Sequence, residues 1–321
     1  MNKNNKSIIE YHSSFLDYLE IEKGLSSNTQ KNYSRFLNKF FKWLDSNNLK
    51  NLKPSQFSPA HISKYRIFLA RHINPRNKIT LKKSTQNYYL IALRSLLEFF
   101  VEKNIASLSP SQIKLAKDKS DKEIKFLKLE QIEKLLLAPD TSAIIGARDR
   151  AILETLFSTG LRVAELTALD REQFKITDLT KNLEIVIVGK GNKVRTIYFS
   201  ERAVCRIKKY LNQRNDIDDA LFINYKRGAE KSNASRRLTT KSIEDIVKKY
   251  IKIAGLPIIA TPHTIRHSFA TDLLAQGVDL RLVQEFLGHR NIATTQIYTH
   301  VTNKQLQDVH KKLHGGRKIK N

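Results

Sequence analysis

Apolar residues recur at helical spacing through the first hundred residues of the chain. Residues 7–22 and 29–46 place apolar side chains three or four positions apart, which predicts two amphipathic helices. A third helix is expected to begin near Ser58-Pro59, because serine caps helix N-termini well and proline is tolerated in the first turn. A fourth is predicted over 84–103. The pattern indicates a small domain of four helices.

The rest of the chain predicts a second helical unit with one small sheet. β-Branched residues at 183–188 and 194–199 flank a turn at 189–193 that contains Gly and Asn, the pattern expected of a β-hairpin. The 11 glycines and 7 prolines of the chain are about half the usual share of these helix breakers. Helices are predicted near 128–137, 145–158, 200–212, 240–254, 262–276, 280–287 and 303–313.

The segment between the two patterned regions is predicted to be a linker. Residues 105–123 lose the helical periodicity and gather Ser, Lys and Pro. A chain of 321 residues is long enough for about two domains. We therefore expect an N-terminal domain over 1–104 and a second domain over 124–321, whose last helix occupies about 302–313.

The net charge points to a class of partner. The chain has 57 Lys and Arg against 31 Asp and Glu, a formal net charge of +26. Residues 1–120 carry 21 basic and 8 acidic residues and the remainder carries 36 and 23, so each part has an excess of 13 positive charges. This distribution suits two domains that grip one long polyanion, with DNA as the leading candidate. A generally lysine-rich, solvated surface is the alternative.

Two absences narrow the class of protein. No stretch approaches the 18 or so uncharged apolar residues of a membrane span, and the N-terminus lacks the apolar run of a signal peptide. Cys205 is the single cysteine, so neither an intrachain disulfide nor a cysteine-based zinc site can form. We expect a cytoplasmic protein without a membrane partner.

Two short motifs place an arginine at the start of a predicted helix. Arg162 and Glu165 lie three residues apart, so the carboxylate can orient the guanidinium toward a phosphate, although an ordinary surface ion pair has the same spacing. A capped helix start then brings His263 and Arg266 into the first turn, where the helix dipole favours an anion. Metal ligation by His263 and His267 is the competing interpretation, but this pair lacks the Glu of a His-Glu-x-x-His motif.

The last motif supplies a candidate nucleophile. Gly288 is expected to end a helix directly before His289, and Tyr298 follows nine residues later. A lone tyrosine is usually a packed aromatic, but its arginine and histidine neighbours suit attack on a DNA phosphodiester. Lys190, on the hairpin turn, can protonate the leaving 5′-oxygen. Such chemistry needs no metal, ATP or other cofactor, because a phosphotyrosine link conserves the bond energy.

The motifs around Arg162, Lys190, Arg266 and Tyr298, in this order along the chain, resemble those of the tyrosine recombinase or phage integrase family. The resemblance is greatest to the Xer-type site-specific recombinases of that family. The resemblance implies a fold that is mainly α with a small β-sheet: a four-helix SAM-like core-binding domain followed by an α+β catalytic domain. The matching blocks are Ser158-Thr-Gly-Leu-Arg-Val-Ala-Glu-Leu, Gly189-Lys-Gly-Asn-Lys, His263-Thr-Ile-Arg-His-Ser-Phe-Ala-Thr, Leu287-Gly-His and Thr295-Gln-Ile-Tyr-Thr-His-Val.

The resemblance also implies a role for each matching residue. Two arginines would clamp the scissile phosphate, a carboxylate would support the first of them, and a lysine would be the general acid. Two histidines would assist proton transfer, and a tyrosine would form a 3′-phosphotyrosyl intermediate. In that order the residues are Arg162 and Arg266, Glu165, Lys190, His263 and His289, and Tyr298.

The implied function is that of a site-specific DNA recombinase acting at the nucleoid and resolving chromosome or plasmid dimers. It would work as a tetramer on double-stranded DNA that carries a specific site, with the C-terminal helix exchanged between protomers. The alternative function is that of a mobile-element integrase or transposase. A type IB topoisomerase and a non-catalytic DNA-binding relative are less favoured alternatives. A second recombinase and a DNA translocase are further candidate partners. The tail His314-Gly-Gly-Arg317 departs from the His-Pro-Arg of many Xer-like chains.

Overall fold

The chain folds as two compact helical units, 1–121 and 122–321. A computed structural model describes residues 6–74, 78–116, 125–177, 179–189, 193–225, 235–256 and 260–288. Within these ranges it is mostly helical with a single two-stranded sheet, which confirms the fold class predicted from the sequence. None of the helices in the described ranges has both the length and the apolar character needed to cross a membrane.

The first unit contains the four helices that the apolar pattern predicts. They are α1 (His12–Ile21), α2 (Ser27–Ser46), α3 (Pro59–Arg71) and α4 (Lys83–Glu102). Their apolar faces meet in a core that is unusually rich in aromatic rings, which bury large areas and pack edge to face. The buried rings include Phe15, Tyr18, Phe40, Trp43, Tyr65 and Phe100.

Residues 105–116 continue on the first unit, although the sequence pattern predicts that they begin a linker. Ile105 and Ile113 are buried in its core. The side chain of Arg94 on α4 donates to the carbonyl of Ile113. This half of the predicted linker is therefore packed, while 117–124 lie outside the described residues. The predicted domain boundaries stay a prediction.

The second unit is organised around α6 (Ile144–Thr159), which has twelve of its sixteen residues buried. It packs against α8 (Glu201–Leu211), α10 (Pro262–Ala275) and the small sheet. Charged side chains inside it are paired, as burial requires: Arg150 lies 2.9 Å from Glu154. The predicted tail helix at 302–313 lies outside the described residues. The helices are α5 (Leu129–Leu137), α6 (Ile144–Thr159), α7 (Val163–Thr167), α8 (Glu201–Leu211), α9 (Thr240–Ile253), α10 (Pro262–Ala275) and α11 (Leu280–Leu287).

The predicted hairpin forms from β1 (Leu183–Val188) and β2 (Val194–Phe199). The strands are antiparallel, and their register runs from the Leu183–Phe199 pair to the Val188–Val194 pair. Alternate residues point to opposite faces of the sheet. The inward face packs on the core of the second unit through Ile185, Ile187, Ile197 and Phe199.

Several helices of the second unit end at or just before a glycine with positive φ, and Gly160 and Gly255 are two of these glycines. Gly160 ends α6 with φ +58°, and a Cβ atom there would lie 2.5 Å from a ring carbon of Phe269. Gly255 follows α9 with φ +62°, and the space around it is open. The two positions thus have the same backbone requirement but different surroundings.

We expect Gly160→Ala to destabilise the second unit more than Gly255→Ala does. Both variants place a Cβ in a left-handed conformation, which costs about 1–2 kcal/mol. Only Gly160→Ala also displaces the Phe269 ring, for about a further 1–3 kcal/mol. Urea unfolding followed by circular dichroism measures the difference. Equal losses of unfolding free energy in the two variants would contradict the close packing at Gly160.

Candidate active site

Arg266 joins the ends of two helices. Its Nη1 donates to the carbonyl of Gly160 at the end of α6, and its Nη2 donates to the carbonyl of Leu287 at the end of α11, both at 2.5 Å. The residue is only 4% exposed. Helix C-termini carry unsatisfied carbonyls and a partial negative charge, so a buried guanidinium is stabilised there. The position of Arg266 is therefore fixed by the fold.

Arg162 is braced on the same end of α11. It is the N-cap residue of α7, and its Nη2 donates to the carbonyl of Gly288 at 3.1 Å. Its Nη1 donates to Glu165 Oε1 at 3.0 Å, and its backbone N–H donates to Glu165 Oε2 at 2.9 Å. One quarter of the Arg162 side chain is exposed. Arg162 and Arg266 thus bind adjacent carbonyls, and Arg162 keeps access to an external anion.

Glu165 holds a second arginine, Arg195, which the sequence analysis did not single out. Arg195 Nη1 lies 3.0 Å from Oε1 and Nη2 lies 2.7 Å from Oε2, a bidentate pair. Along β2, Arg195 is in line with the inward-facing Ile197 and Phe199. A charged residue at an inward strand position needs a buried partner. That pattern was the signal in the sequence that could have identified Arg195.

Glu165 is ionised in this setting. Burial by itself would raise the pKa of the carboxyl, but hydrogen bonds from Arg195 and from the Arg162 backbone, together with the two positive charges, outweigh burial and lower that pKa. Its side chain is 7% exposed. A buried, ionised carboxylate that accepts four hydrogen bonds is a rigid point of attachment for both arginines.

His263 lies in the first turn of α10, where the sequence predicts it. The Thr261 side chain caps the helix by accepting from the Thr264 N–H at 3.3 Å. The ring of His263 is accessible to solvent, yet the protein around it removes part of its hydration, and the charges of Arg266 and Arg162 lie nearby. These effects lower the pKa of His263. His263 is therefore neutral at physiological pH and can accept a proton.

Three of the candidate residues, Lys190, His289 and Tyr298, lie outside the described residues. In the sequence, Lys190 directly follows Gly189, whose N–H donates to the carbonyl of Lys193 at 2.7 Å and closes the hairpin. The roles of these three residues stay predictions.

The competing interpretation of the sequence takes His263 and His267, four residues apart on α10, as metal ligands. In the part of the chain that the structure describes, no cluster of three or more His, Cys, Asp and Glu side chains is arranged to hold a metal ion. Burial lowers the pKa of His267 as well, and the charge of Arg266 and protonation of the neighbouring His263 act in the same direction.

Two family models match the chain. Residues 125–305 match the phage integrase family, and residues 13–104 match the N-terminal SAM-like domain of phage integrases. A tyrosine recombinase XerD of Listeria innocua is 36% identical over 312 residues, which cover 94% of this chain and 97% of the relative. A XerC of Leptospira interrogans is 34% identical over 316 residues, covering 96% and 94%.

A solved structure with similar architecture is that of the XerH site-specific recombinase in a post-cleavage complex with a palindromic difH substrate. It has 26% sequence identity and a TM-score of 0.69, and the match covers 94% of this chain and 84% of that one. The chain therefore belongs to the phage integrase family of tyrosine recombinases. Relatives of this chain within that family include the XerD and XerC recombinases, and its activity is that of a site-specific recombinase.

We expect the ring of His263 to titrate below the ordinary histidine pKa of about 6.5, because the protein removes part of its hydration and a proton there meets two arginine charges. An NMR titration of the ring protons measures this, with His263→Asn identifying the resonance. As the pH falls, the unfolded chain takes up this proton at a higher pH than the folded chain does. The second unit therefore loses stability as the pH falls below about 6.5. A midpoint at or above 6.5 would contradict the lowered pKa.

Proposed function

We propose that the second unit cleaves a strand of duplex DNA by attack of Tyr298 on a phosphodiester and later reseals it. The observation that carries the proposal is the pair of arginines braced on neighbouring carbonyls, Arg162 on Gly288 and Arg266 on Leu287. Two positive groups fixed at one helix end make a site for one anion. Membership in the tyrosine recombinase family supports a phosphate as that anion.

The two arginines would stabilise the charge that develops in the transition state. A guanidinium presents planar, charge-assisted donors that match the non-bridging oxygens of a phosphate. Because Arg162 and Arg266 are anchored before DNA arrives, little reorganisation is needed at the moment of reaction. Glu165 keeps Arg162 in place during this step.

The remaining groups would move protons. A tyrosine hydroxyl ordinarily has a pKa of about 10, so Tyr298 must lose its proton as its oxygen bonds to phosphorus. A neutral His263 can take that proton, with His289 assisting. Lys190 would donate a proton to the departing 5′-oxygen. The product is a 3′-phosphotyrosyl link and a free 5′-hydroxyl, and attack by a 5′-hydroxyl on this link reverses the step and rejoins the strand without metal or ATP.

The first unit would hold the duplex through basic side chains on α2. Lys31, Arg35 and Lys39 repeat every four residues and line one groove with Lys42. Loss of hydration and the charge of Lys42 lower the pKa of Lys39, and a bound phosphate would relieve that repulsion. Such contacts position a duplex without reading its sequence.

We propose an Xer-type role, in which a tetramer resolves chromosome or plasmid dimers at a specific DNA site, and the names of the relatives support the Xer type. The XerC and XerD names and the XerH complex with difH describe those proteins. For this chain we propose the same class of substrate, with the C-terminal helix exchanged between protomers. It would act in the cytoplasm at the nucleoid, with a second recombinase and a DNA translocase as further candidate partners.

The nucleophile can be tested without knowing the target site. We expect the wild-type protein, recovered from cells under denaturing conditions, to carry covalently attached DNA, and Tyr298→Phe to carry none, since phenylalanine has no oxygen to bond to phosphorus. Sequencing of the attached DNA would identify the site. Tyr198→Phe is the matched control, because Tyr198 is an exposed tyrosine of the same unit and its loss should leave the link intact. DNA linked to the Tyr298→Phe variant would overturn the assignment.

A further inference from the structure

Arg195 occupies an inward-facing position on β2. The other inward-facing residues of this strand have apolar side chains. Arg195 pairs across the hairpin with Ile187, and two and four residues further along the strand lie Ile197 and Phe199. Its side chain is 11% exposed. Holding a cation here costs desolvation, which only a close and well-oriented partner offsets. Glu165 is that partner.

Glu165 divides its hydrogen bonds equally between two residues. Oε1 accepts from Nη1 of Arg162 and from Nη1 of Arg195, and Oε2 accepts from the Arg162 backbone and from Nη2 of Arg195. A carboxylate has about four acceptor positions. All four positions are filled, so Glu165 cannot accept a further hydrogen bond from the Arg162 guanidinium.

The backbone closes around the Arg195 guanidinium on two sides. A Cβ at Gly189 would lie 2.8 Å from Nη1, and one at Gly288 would lie 3.0 Å from the same atom. Gly189 belongs to the end of the hairpin, and Gly288 is the residue whose carbonyl holds Arg162. Arg195 thus links β2, Glu165 and the end of α11 in one packed arrangement.

Charge decides what this arrangement does. Arg162 and Glu165 alone would form a neutral pair, with little attraction left for a phosphate. With Arg195 the three side chains sum to one positive charge. The exposed member is Arg162, at 25% against 7% for Glu165 and 11% for Arg195. The surplus charge is therefore presented through Arg162.

We propose that Arg195 is a positioning residue: it satisfies Glu165 and offsets its charge, so that Arg162 stays directed at the scissile phosphate with a net positive charge. This inference rests on the phosphate-binding role proposed above for Arg162. Without Arg195, the half-satisfied carboxylate would turn the Arg162 guanidinium toward itself and compete with the phosphate.

The test compares four variants of the full-length protein. The probe is a nicked duplex built on the DNA site recovered with the wild-type protein, and the readout is the single-turnover rate of covalent adduct formation. Arg195→Met should slow the step about 10²-fold, as a small displacement of a catalytic group does.

Arg195→Met combined with Glu165→Gln restores the net charge of +1, while glutamine keeps an acceptor for the Arg162 N–H. The double variant should therefore react at least about tenfold faster than Arg195→Met, the recovery expected for the restored charge.

A merely structural role for Arg195 predicts a different outcome. If Arg195 only anchors the hairpin, the double variant still lacks the anchor and will be as slow as Arg195→Met, a result that would overturn the inference. Should Arg195→Met not fold, the pair Arg195→Lys and Arg195→Gln replaces it. Lysine keeps the charge, so it should react faster than glutamine, and equal rates would overturn the inference.

Two further variants separate this inference from the proposed function. Glu154 is also held by two arginines, Arg150 and Arg202, so Arg202→Met is a matched control that should cleave at the wild-type rate. Arg162→Met should be slow. If Arg162→Met cleaves normally, or if no DNA site is recovered, the proposed function and the inference both fall. If Arg162→Met is slow and Arg195→Met is normal, only the role of Arg195 falls.

Discussion

The second unit depends on one buried carboxylate that two arginines share. Glu165 brings together the start of α7, through Arg162, and the hairpin, through Arg195. An ionised group that is 7% exposed is tolerable only because every acceptor position is filled. The same hydrogen bonds fix the direction of Arg162, so the stability of the buried charge and the role proposed for Arg162 depend on the same four hydrogen bonds.

The ends of α6 and α11 extend this arrangement. Each helix stops at a glycine in the left-handed conformation, Gly160 and Gly288, and the carbonyls at these ends accept from Arg266 and Arg162. A side chain at either glycine would meet a packed neighbour, Phe269 in the first case and Arg195 in the second. Arginines held by backbone carbonyls do not depend on the rotamers of flexible partner side chains, which suits the preorganised phosphate site proposed for them.

The sequence predicted the helices, the hairpin and the family because these follow from local periodicity and from contiguous motifs. It placed His263 in the first turn of α10 because the capping signals of Thr261 and Pro262 are local. It missed the packing of Ile113 on the first unit, since isolated apolar residues in an irregular segment have no period to detect. It also missed Arg195, whose partner is thirty residues away in sequence, although an arginine among inward-facing Ile197 and Phe199 was a usable signal.

The central claim is that two preorganised arginines act on one phosphate while Glu165 and Arg195 hold the first of them. A crystal structure of the Tyr298→Phe variant on an uncleaved duplex of its recombination site tests this most directly. We expect Arg162 and Arg266 within hydrogen-bonding distance, about 3.2 Å, of the non-bridging oxygens of a single phosphate, with Arg195 still bidentate on Glu165. A phosphate bound by Arg195 itself, or two different phosphates bound by Arg162 and Arg266, would contradict it.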